Sequence, residues 1–207
     1  PATLPAIYQA RGQLACMVNP KRERAATFTQ AQAEQLARDG AVLVEQLDGE
    51  EPLLLMACGS YQLAEMQRAA GRLRTAGLAY RLVYVQEPGR FRAPRDRWEA
   101  QALASPEVVA QLFAPAGRRR VLLTHMRPEV ARGHLWPLLP VASNTVVLGY
   151  RNRGGTLDEA GMQFANSATW AHILDACAQL LQVPLSGVLS AAEITAVKGE
   201  GDPRVLR

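Results

Sequence analysis

The sequence predicts an α/β fold: a three-layer sandwich around a mostly parallel sheet of about five strands. Three observations carry this. Strand-like and helix-like segments alternate along the chain. The runs LLLMAC and VLLTH are apolar without alternation, as in strands covered on both faces. Between LLLMAC and LAYRLVYV lies one amphipathic helix, which makes a βαβ unit whose strands are expected to run parallel.

Taken in order, residues 1–13, with Pro1, Pro5 and Gly12, read as a linker arriving from a preceding domain. QLACMV is a strand and NPKRER a polar turn. TQAQAEQLARDG has helical character, with Thr29 placed to cap it and Gly40 to stop it. AVLVEQL is a strand and DGEEP a turn. After LLLMAC, Leu63, Met66, Ala70 and Leu73 recur at spacings of three and four, one apolar stripe of a helix. Ser60 is the expected N-cap of that helix and Gly77 its stop. LAYRLVYV is the next strand and QEPGRFRAPRDRWEAQ a long basic loop. SPEVVAQLF is a short helix with Ser105 as cap and Pro106 at its first position. RRVLLTH is a strand, RPEVARGHLWPLL a weak helix and NTVVLGY a strand. Asp158 and Glu159, like Glu50 and Glu51, are expected in solvated turns. NSATWAHILDACAQLL is a helix burying Trp170, Ile173, Leu174, Cys177 and Leu181. The domain proper spans 14–187, and 188–207 forms a C-terminal helix or tail.

Composition narrows the function. The chain has 207 residues and a net charge of +4. Lys21 and Lys198 are its only lysines, all other basic side chains being arginine. The arginines are scattered (Arg68, Arg72 and Arg74 on one helix, Arg90 to Arg97 in a loop, Arg118 to Arg120 before a strand) rather than gathered with aromatics, which argues against nucleic-acid binding. No apolar run reaches the ~18 residues of a membrane helix. Cys16, Cys58 and Cys177 are far apart and form no CxxC pair, so no zinc site or disulfide framework is indicated, and a reducing, cytoplasmic setting fits. The chain opens at Pro1 without an initiator methionine, as a fragment or processed product would.

Ligands of open α/β sheets sit at the carboxyl ends of strands. Those ends here carry Gly59-Ser60, Gln86-Glu87, His125 and Gly149-Tyr150. Gly59-Ser60 opens a helix, but G-x-x-x-x-G-K-[ST] and G-x-G-x-x-G are both missing, so a tight turn is the simpler reading. His125, His134 and His172 have no Asp, Glu or Cys at a metal-ligand spacing, and no G-x-S-x-G or HExxH occurs. No catalytic residue and no metal ligand is assigned.

The segment from His125 onward resembles the C-terminal domain of thiamine diphosphate-dependent phosphoketolases, the xylulose-5-phosphate/fructose-6-phosphate type. That family has a strand ending in His-Gly-Tyr-Pro, then Gly-Tyr-Lys-Glu-Glu-Gly-Thr-Thr, Met, Asn, and Asp-Arg-Phe-His on a helix. VLLTHMRP supplies the strand, and LGYRNRGGTLDEAGMQFANSATWAHIL follows without a gap, matching at Gly149, Tyr150, Gly154, Thr156, Met162, Asn166 and His172. Upstream, PLLLMACGSYQLAEMQRAAGRLR looks like the family's strand, Cys-Gly turn and long helix, and LAYRLVYVQ like the strand after it. CMVNPKRERAATFTQAQAEQLARDGAVLVEQL is similar to its first strand, which ends in a Gly-Lys-Gln-Pro turn with Lys21 on the lysine. The chain departs from the pattern at Arg151-Asn152-Arg153, Gly155, Thr169-Trp170-Ala171 and His125-Met126-Arg127.

The resemblance implies a fold like the transketolase C-terminal domain and a division of labour. Thiamine diphosphate, magnesium and the catalytic histidines would belong to preceding domains of the same polypeptide; this domain would bind no cofactor. It would complete the fold and a homodimer and support the channel for sugar phosphate and phosphate. Lys21 is the expected substrate-binding residue. Tyr150, Arg151, Arg153, His125 and His172 mark an anion or interface loop, read first as a structural loop at a domain or dimer contact with Tyr150 packed beneath it. The implied reaction is phosphorolytic cleavage of a ketose phosphate to acetyl phosphate and an aldose phosphate. Two other functions stay open: a non-catalytic assembly or regulatory module binding an anion or nucleotide, and the C-terminal domain of a transketolase or 2-oxoacid dehydrogenase. The gap-free match from Gly149 to His172 points away from the latter.

Overall fold

Helix α1 (Gln30–Asp39) opens the computed structural model, which describes residues 27–153 and 155–207. The linker 1–13, the strand with Cys16 and the turn with Lys21 lie outside the described residues, as does Gly154. Thr29 caps α1 in a full capping box, and Gly40 closes it in the left-handed region, at φ 77. β1 (Ala41–Leu47), β2 (Leu53–Cys58), β3 (Tyr80–Val85), β4 (Arg120–Thr124) and β5 (Thr145–Leu148) form one sheet in the order β1-β3-β2-β4-β5. The pairings β2–β3, β2–β4 and β4–β5 are parallel and β1–β3 is antiparallel. The expected class is therefore found: α/β, five strands, mostly parallel. β1 is reversed because the turn from Asp48 to Pro52 is too short for the crossover that a parallel neighbour needs.

The remaining helices are α2 (Ser60–Thr75), α3 (Arg97–Ala100), α4 (Pro106–Phe113), α5 (Pro128–His134), α6 (Glu159–Ala165), α7 (Trp170–Leu181) and α8 (Ala191–Val197). Alternation along the strands divides the core. Leu53, Leu55, Ala57 and Leu82 face α2, α7 and α8, meeting Leu63, Met66, Leu73, Trp170, Ile173 and Leu174. Leu54, Met56, Val83 and Leu122 face α4 and α5, meeting Leu112, Phe113, Ala131 and Leu135. Residues 188–207 fold back on the first face: Leu206 is buried, and its carbonyl accepts the Trp170 indole N–H at 2.9 Å.

Three local expectations change. Ser60 does not cap α2; Gly59 holds that position at φ 114, and Ser60 is the first helical residue. Asp158 and Glu159 are not in a turn. Asp158 caps α6, accepting from the Gly161 N–H at 2.8 Å, and Glu159 begins the helix. The loop after β3 contains α3, because Asp96 accepts from the N–H groups of Trp98 and Glu99. Arg120, grouped by sequence with solvated basic residues, is 2% exposed. Its guanidinium donates to the carbonyls of Phe113, Pro115 and Leu138, satisfying the end of α4. No helix among the described residues is long and apolar enough to cross a membrane.

Candidate functional site

The carboxyl ends of β2, β4 and β5 lie side by side, so Cys58, His125 and Gly149 are neighbours through register alone. His125 is exposed; its backbone N–H donates to the Cys58 carbonyl at 3.2 Å, and its Nδ1 lies 3.1 Å from the same oxygen. Gly149 is required by close approach. A Cβ there would stand 2.4 Å from the Met126 carbonyl oxygen, which accepts the Tyr150 N–H at 3.1 Å. The strand containing His125 and the loop containing Tyr150 are thereby tied together.

Asn166 organises that loop. It is 3% exposed. Its Oδ1 accepts from the backbone N–H groups of Arg151 at 2.7 Å and Arg153 at 3.3 Å. Its Nδ2 donates to the carbonyls of Arg153 at 3.2 Å and Met162 at 2.8 Å. The Arg151 and Arg153 side chains face solvent, and neither forms an ion pair with a described residue. Tyr150 is not packed beneath the loop: it is 41% exposed, and its hydroxyl donates to Asn152 Oδ1 at 3.0 Å.

His172 lies behind the loop in the first turn of α7. Its Nδ1 is hydrogen-bonded to the Thr169 hydroxyl at 2.7 Å, and its ring centroid is 5.8 Å from that of Phe164. Burial pushes its pKa down to about 4, with Asp175 opposing and Arg151 adding to the shift. The imidazole is therefore neutral near pH 7 and is in electrostatic contact with the loop cation. The structure thus gathers Tyr150, Arg151, Arg153 and His172 around Asn166, with His125 on the adjoining strand end; Lys21 lies outside the described residues.

A groove of about 240 Å³ adjoins this edge, lined among others by Glu65, Leu157, Phe164, Thr169 and Leu206. Glu65 accepts the Trp170 N–H at 2.6 Å and pairs with Arg68 at 3.2 Å, while burial raises its pKa. Arg207 and Asp158, paired at 3.0 Å, belong to the same neighbourhood. Sequence reading missed this groove because its walls come from three distant segments. It also missed the role of Asn166, whose only signal was its place in the matched motif.

Similarity to known proteins is confined to structure. The chain is similar to transketolase from Leishmania mexicana, with a TM-score of 0.51 and 16% identity over 76% of this chain and 20% of that one. Transketolase from Campylobacter jejuni subsp. jejuni NCTC 11168 aligns with a TM-score of 0.46 and 13% identity over 75% of this chain and 20% of that one. Transketolase from Pichia stipitis aligns with a TM-score of 0.47 and 14% identity over 76% of this chain and 21% of that one. The chain therefore spans about a fifth of the length of these structures. No family model and no curated protein matches it. At such identities the first likeness establishes the fold, a transketolase C-terminal-like α/β domain, and nothing finer.

Proposed function

We propose that this chain is the C-terminal module of a phosphoketolase-like enzyme that cleaves a ketose phosphate with phosphate to acetyl phosphate and an aldose phosphate. The supporting observation is convergence: Gly149, Tyr150, Asn166 and His172, all positions of the phosphoketolase-like motif, meet at one edge of the sheet. Asn166 fixes the backbone there, and two arginines without acidic partners among the described residues remain for an anionic group. In this reading the module completes the fold, supports the substrate channel and joins a cytoplasmic homodimer. The preceding domains of the same polypeptide supply the catalytic groups, and Lys21 approaches the substrate phosphate.

The edge itself does not fit thiamine diphosphate with magnesium. Magnesium needs oxygen ligands, chiefly carboxylates and water. The edge offers imidazole, guanidinium, amide and phenol groups, so no step is routed through that cofactor here. A transketolase module is the second reading, favoured by the fold likeness at a TM-score of 0.51.

An assay of the intact encoded polypeptide with thiamine diphosphate, magnesium, xylulose 5-phosphate and inorganic phosphate separates the two. Acetyl phosphate formation is the expected result. Transfer of a two-carbon unit to an aldose phosphate instead would assign the second reading. Activity undiminished by removal of this chain would contradict both.

A further inference from the structure

At one point in the sheet, neighbouring strands send their connections to opposite faces. β2 continues through α2 on one face toward β3, and β4 continues through α5 on the other toward β5. Open α/β sheets take ligands in the crevice outside such a reversal. Here that crevice lies between Cys58-Gly59 and Thr124-His125, which are held together by the His125 N–H on the Cys58 carbonyl.

The groups around it are unpartnered. The 16-residue α2 has no side-chain cap, and its N-cap is Gly59 at φ 114. The backbone N–H groups of Ser60 and Gln62 have no acceptor among the described residues, and the positive end of the helix points into the crevice mouth. Gln62 occupies the third helical position and is 8% exposed, yet its amide makes no hydrogen bond among the described residues. At the same position of α1, Gln32 reaches back and accepts the Thr29 N–H at 3.0 Å. Gln62 does not do so. Its Oε1 lies 2.2 Å from where a Cβ on Gly59 would stand, and His125 Nδ1 lies 3.3 Å from that point. Amide, glycine and imidazole thus line one spot. A buried amide without a partner is unfavourable, and such groups in native proteins ordinarily have one.

His125 sets the polarity of the opposite wall. A carbonyl only accepts, so Nδ1 carries the proton on the Cys58 side, and Nε2 presents a lone pair. The crevice therefore offers N–H donors at the helix and an acceptor across from them. Exposed Arg127, two residues along, adds positive charge.

We propose that the crevice between the ends of β2 and β4 binds a small hydroxylated oxyanion. Its phosphate or carboxylate sits on the first-turn N–H groups of α2 and the Gln62 amide, and its hydroxyl donates to His125 Nε2. This site is separate from the Asn166 loop and does not depend on the proposed reaction.

The test is a titration of the ¹⁵N-labelled chain with glycerol 3-phosphate, inorganic phosphate and lactate, with chloride as control. The Ser60 and Gln62 amides are expected to shift saturably with millimolar Kd, most tightly for glycerol 3-phosphate or for lactate, which identifies phosphate or carboxylate as the preferred anion. Gln62→Leu should weaken binding about tenfold, and His125→Phe should remove the advantage of glycerol 3-phosphate over inorganic phosphate. His125 is exposed, so that variant keeps the test valid if Gln62→Leu fails to fold. No saturable shift at Ser60 and Gln62 with any probe would overturn the proposal. So would equal shifts with chloride, or a glycerol 3-phosphate affinity unchanged by His125→Phe.

Discussion

Asn166 supplies both oxygen lone pairs and both amide protons to the backbone around residues 151–162, from a side chain that is 3% exposed. Truncating it strips partners from buried backbone groups. Asn166→Ala should therefore cost about 2–4 kcal/mol, read as a lowered urea midpoint at unchanged slope. His172 gives a pH signature. Its folded pKa is held at about 4, below the usual 6.5. The unfolded chain therefore takes up a proton first as pH falls. The stability involved is fully present above pH 6.5 and is lost between there and about 4, on the order of 3 kcal/mol at most. Glu65, whose pKa is raised by burial, gives an opposing slope near the acid end. Comparing wild type with His172→Gln isolates the histidine: the variant should lose the decline across that window in a pH series of denaturation curves. The histidine and the asparagine were visible as matched motif positions. What they touch was not, because their partners come from a backbone loop that closes only in three dimensions.

Capping chemistry made most elements legible. Thr29, Gly40, Ser105 with Pro106, and Gly77 all mark helix ends where the sequence put them. Ser60 shows the limit of that reading: the residue type is right for a cap, but the sharp exit from β2 requires φ 114, so Gly59 takes the position. The two serine/threonine sites should therefore respond differently. Thr29→Ala should cost about 1 kcal/mol, while Ser60→Ala should change stability by less than about 0.5 kcal/mol, both by chemical denaturation. Asp158 was misread because two adjacent acids look like a solvated turn; as a cap it starts α6, which carries Met162 and leads to Asn166. The antiparallel β1 follows from a short turn that the sequence displays, although periodicity alone is silent on strand direction.

The whole molecule is a platform covered on both faces, with its polar and cationic groups at the carboxyl edge. Its last residues belong to that platform. Leu206 is buried, and its carbonyl holds the Trp170 indole, whose ring lies 5.1 Å from the Arg68 guanidinium and 5.0 Å from that of Arg72. Deleting residues 203–207 should lower Tm by several degrees, seen by calorimetry, as it exposes Trp170 and leaves its N–H without a partner. At this scale the fold class was legible, because unbroken apolar strands and amphipathic crossovers admit few architectures. The larger assembly was not, because it depends on surfaces that meet residues beyond this chain. Hydrogen exchange therefore tests the central claim most directly, comparing the 207-residue chain with the intact encoded polypeptide. Amides 149–153 and 155–157 should exchange markedly more slowly in the intact polypeptide, where neighbouring domains cover the edge built by Asn166. Identical exchange at those amides in the two forms would contradict the account.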